Sequence, residues 1–269
     1  MNFNPQVYQQ VWQQLNQSLI ITQKLNITTP IPIHIFETIP STNTKVWQLI
    51  DSGIEMPVSA IALTQTAGKG QWGNVWVSAT GGLYLSVGLK LDLPLHNYPH
   101  LVMATVWGVT TVLQHYQLPV KIKWFNDLIL NQRKLGGIKI ETRSSKTQIY
   151  QAVIGVGINW YNCVPDIGIN LKSYYQQYPP NKIQSLEALA AITNYGIILG
   201  YQYYLAVGIE QLLTNYAANV YNIGQKIIIN NCPGKIIGIT SEGKIQIKLR
   251  SPGATTEITF APGEITLGY

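Results

Sequence analysis

The order of strand-like and helix-like stretches between residues 33 and 216 is the strongest limit on what this chain can fold into. Residues 33–36, 58–64, 83–91, 120–124, 138–142 and 149–159 are short and apolar or alternating, the pattern of strands. Between them lie a helical stretch ending near Asp51, with Val46, Trp47 and Ile50 on its inner stripe, a long apolar helix over 101–116, and a helical region from 185 to about 216. Interleaved elements of this kind predict an α+β fold around a mixed sheet. Near residue 220 the pattern changes. Short alternating runs at 226–230, 235–240, 244–250, 255–260 and 264–267 are separated by Pro233-Gly234, Glu242-Gly243, Pro252-Gly253 and Pro262-Gly263, which reads as a small β-barrel. Ahead of the first strand, Val7, Tyr8, Val11, Trp12, Leu15 and Leu19 predict one amphipathic helix over 6–25, broken by Thr29-Pro30-Ile31-Pro32. The expected organisation is an N-terminal helical segment (1–32), a larger mixed-sheet unit (33–219) and a C-terminal barrel (220–269). Residues 162–185 show little periodicity and are read as irregular.

Charged residues make up only 11% of the chain, so Asn, Gln, Ser and Thr must carry much of its surface. The net charge of +6 comes mostly from lysine, since the arginines are Arg133, Arg143 and Arg250 alone. A basic balance permits anionic partners. The barrel lacks the aromatic stripe that binds single strands by stacking, and no long Lys/Arg run points to nucleic acid. Cys163 and Cys232 have no metal-ligand or disulfide spacing. There is no secretory pattern at the N-terminus and no apolar run near the roughly 20 residues a membrane helix needs. These features predict a cytoplasmic protein with no membrane partner.

Five groups carry the candidate chemistry. Ser41-Thr42-Asn43 opens a helix, where hydroxyl and amide side chains either hold a polar ligand head or simply cap the helix. Gly68-Lys69-Gly70-Gln71-Trp72-Gly73 leaves a strand and ends on Asn74-Val75-Trp76. Exposed backbone N–H groups there read as an anion cradle or as a glycine-rich hairpin with core tryptophans. Lys123-Trp124-Phe125-Asn126-Asp127 ends one strand, Lys134-Leu135-Gly136-Gly137 opens another, and Gly155-Val156-Gly157-Ile158-Asn159 closes a third.

Taken in order and spacing from about residue 36 to 160, these groups resemble the biotin protein ligases. That family has a Ser-Thr-Asn motif, a glycine loop bearing arginines and ending on tryptophan, then Lys-Trp-Pro-Asn-Asp, Lys-Leu-x-Gly-Ile and Gly-x-Gly-x-Asn. Phe125 stands here where the family has proline. The resemblance implies a biotin/lipoate-ligase type sheet followed by an SH3-like barrel, in a member without the N-terminal DNA-binding domain, so no DNA partner is expected. It also implies a two-step reaction. Biotin and ATP form biotinyl-5′-AMP, and a lysine of a biotin carboxyl carrier domain then takes the biotin. A monomer or weak homodimer is expected. The rival readings are a lipoate or octanoate ligase of the same fold, and a non-catalytic biotin- or nucleotide-binding regulator.

The resemblance assigns roles residue by residue. A carboxylate attacking a phosphate needs fixed cations and N–H donors around both anions. Lys134 is the expected central cation, touching both biotin and nucleotide, and Asp127 the second catalytic residue. Ser41, Thr42, Asn43, Gln65, Lys69, Gly70 and Gln71 are expected around biotin. Gly68, Lys69, Gly70, Gln71, Trp76, Asn126, Gly155, Gly157 and Asn159 are expected around the adenylate, with Asn159 either anchoring its strand end or touching adenine. Magnesium is expected to arrive with ATP near Asp127, without a dedicated protein cage.

Lys69, Gln71 and Asn74 occupy positions where the family has arginine. Lysine keeps a point charge there, and Gln and Asn keep none. Losing one charge-assisted hydrogen bond to a buried anion costs about 1–3 kcal/mol, so this chain should hold its adenylate loosely. Gln71→Arg should slow dissociation of biotinyl-AMP in a chase experiment; an unchanged off-rate removes the idea.

Overall fold

The computed structural model describes residues 3–19, 25, 27, 29–251 and 254–268. Seven strands form one sheet: β1 (Ile33–Ile39), β2 (Val58–Gln65), β3 (Leu83–Pro94), β4 (Lys121–Lys123), β5 (Asp127–Leu130), β6 (Arg133–Ser144) and β7 (Gln148–Ile158). Their order is β1-β2-β3-β7-β6-β5-β4, with β1 and β2 parallel and every other neighbouring pair antiparallel. Alternation along the strands sorts the two faces. Leu83, Leu85, Val87 and Leu89 of β3 and Ile154, Val156 and Ile158 of β7 enter the large core. Val58, Ala60 and Val153 point to the opposite face, beneath Val46 of α2 (Thr42–Asp51).

Helix α3 (Tyr98–His115) is buried all round from Leu101 to Thr110, as expected of a helix with no polar face. It packs against α5 (Leu186–Ala217), and the two backbones meet at glycines. A Cβ on Gly108 or Gly200 would collide with the main chain of Gly196 or Ala104. α5 is interrupted at Gly208, whose φ of 74° breaks the helical run.

The expected N-terminal helix is α1 (Pro5–Ser18), capped by the Asn4 side chain, which accepts from Gln6 N. It buries Tyr8, Trp12 and Leu15, and Trp12 meets Tyr195 of α5 edge-on with 5.0 Å between ring centroids. The rest of that expectation includes residues 20–24, which lie outside the described residues. One further element falls in the stretch read as irregular. It is α4 (Leu171–Gln177), started by Asn170, whose side chain accepts from Ser173 N at 2.8 Å. Seven residues are too few to show a helical period.

Beyond residue 220, β8 (Lys226–Ile229), β9 (Cys232–Ile239), β10 (Ile245–Ser251) and β11 (Ala254–Phe260) form an antiparallel sheet in the order β11-β10-β9-β8. The expected barrel is not closed: among the described residues β8 does not pair with β11, and 264–267 adds only an isolated bridge between Pro262 and Ile265. The reason is packing. Ile236, Ile239, Ile245 and Ile247 are buried in the same core as the large sheet, so the neighbouring layer covers this face. Trp124 ties the two sheets together, its backbone N–H donating to Asn222 Oδ1 at 2.9 Å and its Nε1 donating to Gly243 O at 3.0 Å. No helix among the described residues is long and apolar enough to cross a membrane.

Alanine normally stabilises a helix relative to glycine by about 1 kcal/mol. At position 200 the collision reverses the sign. Gly200→Ala should lower stability by about 1–3 kcal/mol, read as a lower urea midpoint with an unchanged slope.

Candidate active site

On one patch of the sheet three of four neighbouring side chains are missing. Gly155 and Gly157 of β7 face the same side as Val153, and across the ladder Gly137 pairs with Gly157 and Lys139 with Gly155. A Cβ at Gly155 would collide with Asn43, one at Gly157 would lie 2.5 Å from the Trp76 ring, and one at Gly137 would lie 3.0 Å from Asp127 Oδ1. Glycine is required here for close approach rather than for a turn. The gap is the floor of a cavity of about 440 Å³, walled by the start of α2, the glycine loop, the 123–127 turn and residues 262–267.

One end of the cavity is polar and uncharged. Ser41 stands at the N-cap of α2, yet its hydroxyl makes no capping bond. Gln65 does that work from β2. Its Oε1 accepts from Thr42 N at 2.7 Å and from Thr42 Oγ1 at 3.1 Å, and its Nε2 donates to Ser78 Oγ at 2.7 Å. The expectation of a plain Ser/Thr cap therefore gives way to a cap supplied by a distant strand, which leaves Ser41 on the cavity wall. Ser86, fully buried on β3, donates to Asn43 Oδ1 at 2.6 Å and lies 2.7 Å from Thr42 Oγ1. Asn43 is turned so that Nδ2 is buried without a hydrogen-bond partner, next to the cavity. A buried amide N–H left unpaired is costly, and it marks a place for a ligand acceptor.

The other end is cationic. Lys134 Nζ lies 2.7 Å from Asp127 Oδ2 and 5.5 Å from the centre of the Trp76 ring. Lys123 is buried beside them, and its ammonium is pushed down to about 8 chiefly by burial, with Asp127 pulling it up and Lys134 pushing it further down. Trp76 lies between the two ends, seated on Gly157, with its Nε1 buried and unpartnered. The charged residues of the whole cavity wall are Lys69, Lys123, Lys134, Lys139 and Asp127, a marked positive excess without any arginine.

Most expected site residues are brought together here. Ser41, Thr42, Asn43, Gln65, Lys69, Gly70, Gln71, Trp76, Asn126, Asp127, Lys134, Gly155 and Gly157 all line the cavity. Gly68 and Asn159 stand outside that lining. At Gly68 a Cβ would collide with Trp76 O, so this glycine serves the loop's own closure. Asn159 donates from Nδ2 to Lys134 O at 3.3 Å and accepts from Asn162 at 3.0 Å, which anchors a strand end. Asn126 and Gln71 both donate to Ile138 O, at 2.6 and 3.4 Å, while Lys69 is turned to Thr44 Oγ1 at 3.3 Å.

Four further contributions were not assigned from the sequence. Lys123 was visible in its motif but had no role. Ser86 carried a signal, a hydroxyl at an inward position of an apolar strand. Lys139 follows directly on the Lys134-Leu135-Gly136-Gly137-Ile138 match. Residues 262–267 reach the cavity only through tertiary packing.

Comparison with known proteins fits this geometry. Residues 35–159 match the family model described as the Biotin/lipoate A/B protein ligase family. The bifunctional ligase/repressor BirA of Bacillus spizizenii is 26% identical over 220 residues, covering 79% of this chain and 68% of that protein. The human biotin–protein ligase is 25% identical over 262 residues, covering 91% of this chain but 34% of its own length. Among solved structures, the Aquifex aeolicus biotin protein ligase in complex with biotin and ATP superposes with a TM-score of 0.64 at 19% identity, over 85% of this chain and 99% of that one. At that identity the likeness is one of fold.

The Lys123 shift has a testable sign. Its ammonium should titrate near 8 instead of the ordinary 10.5, followed by NMR of the lysine ε-carbons. Asp127→Asn should lower that value and Lys134→Met should raise it. Because the folded value is depressed, stability rises with pH from about 8 towards 10.5, and the cost of the buried charge is complete below 8.

Proposed function

We propose that this chain, a member of the biotin/lipoate A/B protein ligase family, is an ATP-dependent biotin protein ligase that makes biotinyl-5′-AMP and passes biotin to a lysine of a biotin carboxyl carrier domain. One observation carries the reading. The cavity has an uncharged hydrogen-bonding end at Ser41, Thr42, Asn43 and Gln65 and a lysine-rich end at Lys134, with a tryptophan-covered glycine floor between them. A ligand with a neutral polar head and an anionic tail fits that division, and biotin has a ureido head and a carboxylate tail.

Each step is assigned on charge and reach. The ureido group takes the unpaired Asn43 N–H and the hydroxyls of Ser41 and Thr42, on a frame held rigid by Gln65 and Ser86. The carboxylate then lies towards Lys134, beside the α-phosphate of ATP. Two anions must meet, and the lysines lower the repulsion through a field already in place before reaction. Attack of the carboxylate oxygen on the α-phosphorus forms the mixed anhydride and releases pyrophosphate. Trp76 offers the adenylate a flat face, Asn126 and Gln71 hold the Ile138 carbonyl beside it, and Lys69, Gly68, Gly70 and Gln71 close the loop above. Asp127 keeps the Lys134 ammonium in position. In the second step the acceptor ε-amine attacks the acyl carbon, AMP leaves, and Asp127 is the carboxylate of the wall to which a proton can pass. Magnesium would neutralise phosphate charge. Asp127 is the acidic side chain on the wall and would face a cation that arrives with ATP.

Residues 33–219 are assigned as the unit that performs the chemistry, with 220–269 as an accessory unit and α1 (Pro5–Ser18) of the N-terminal segment packed against α5. The test mixes the protein with biotin, MgATP and a carrier domain. Carrier biotinylation is the expected result, and modification by lipoate in place of biotin overturns the reading. Lys134→Ala should reduce adenylate formation by at least about a hundredfold, the cost of removing one fixed donor from a developing anion; full activity removes Lys134 from its role.

A further inference from the structure

Lys139 is the sole side chain rising from the four-position floor on which Gly137, Gly155 and Gly157 are bare. Its register is informative. Two residues beyond Gly137 on β6 it faces the same side as that glycine, into the cavity, and its ladder partner is Gly155, on which Asn43 sits. Its Nζ reaches up to the glycine loop and donates to Gly70 O at 2.9 Å, and it lies 3.8 Å from Glu141 Oε1. Glu141 is in turn fixed by Trp47 of α2, whose Nε1 donates to Glu141 Oε2 at 3.0 Å. The loop's own cation, Lys69, is turned the other way, to Thr44. Gln71 and Asn74 carry no charge. The loop that covers this cavity is therefore held from below by a lysine of the sheet.

We propose that Lys139 is a positioning residue that latches the glycine loop shut from the cavity floor, and that this latch replaces the loop's missing arginines in retaining the acyl-adenylate. Holding Gly70 O downward fixes the main chain of residues 69–71 over the cavity. The proposal rests on the biotin ligase reading for the identity of the ligand but not for the latch itself.

The test uses the full chain and two readouts. Lys139→Met keeps the stem and removes the donor, and Lys139→Arg keeps a cation; thermal unfolding confirms that both are folded. In the ligand-free protein, limited trypsin cleavage after Lys69 reports loop opening. Lys139→Met should speed that cleavage by about tenfold or more, as expected for loss of a charge-assisted hydrogen bond. With biotin and MgATP, the same variant should release biotinyl-AMP about tenfold faster while binding biotin alone within roughly twofold of the unaltered chain. Lys139→Arg should restore both rates. Unchanged cleavage in Lys139→Met overturns the latch. So does an unchanged release rate, a loss of biotin affinity in step with release, or an Arg variant as impaired as Met. If the unaltered chain forms no adenylate, the ligase reading falls, and the cleavage rates still decide the latch.

Discussion

The absence of three side chains on β6 and β7 is the constraint on which the site depends. A sheet face normally offers a row of Cβ atoms to whatever packs on it. At Gly137, Gly155 and Gly157 that row is removed, so Asn43 and Trp76 rest directly on the main chain. Everything else follows from their depth. Asn43 sits low enough to meet Ser86 of β3, which orients the start of α2. Trp76 sits low enough to bring its ring against the Lys134 ammonium. Any larger residue would lift both and fill the cavity. The opposite face of the same strands is lined by Ile and Val in tight packing against α3 and α5, which gives the bare face a rigid backing.

Within this frame, charge is distributed unusually for an anion site. The wall contains lysines and no arginine, and they stand on three separate elements: Lys69 on the loop, Lys123 on β4, and Lys134 and Lys139 on β6. A lysine is a compact charge on a flexible stem and needs a partner to fix its direction. Lys69, Lys134 and Lys139 have such partners: Thr44 for Lys69, Asp127 for Lys134, and Gly70 O with Glu141 for Lys139. Direction comes from the surroundings instead of from a planar fork.

Much of this was legible in the residues. Short apolar or alternating runs identified β2, β3 and β7, and the apolar run over 101–116 marked the buried helix α3. The motif groups converge because four of them sit at strand ends or helix starts that meet on one sheet face. What stayed hidden was tertiary. Alternation after residue 220 specifies strands but not closure, and a neighbouring core covered the face that a barrel would have closed upon. Ser41 looked like a cap because nothing local shows that Gln65, far along the chain, takes that bond. Lys139 had no role assigned within the strand 138–142, since its partner Gly70 lies on a loop that only the folded sheet brings over it.

Trp72 has one contact whose meaning reaches beyond the cavity. Its backbone lies in the left-handed region at φ 57°, and its ring covers Gly263, within the 262–267 segment that forms part of the wall. The pocket is thus a joint product of residues near 41 and residues near 265. During synthesis the first of these emerge long before the last, and early-formed parts of a chain fold as they appear. A nascent chain halted before residue 262 would possess the lysines, the glycine floor and the loop, yet one side of its cavity would stand open to water. Completion of the site is thereby timed to the emergence of the residues near 265.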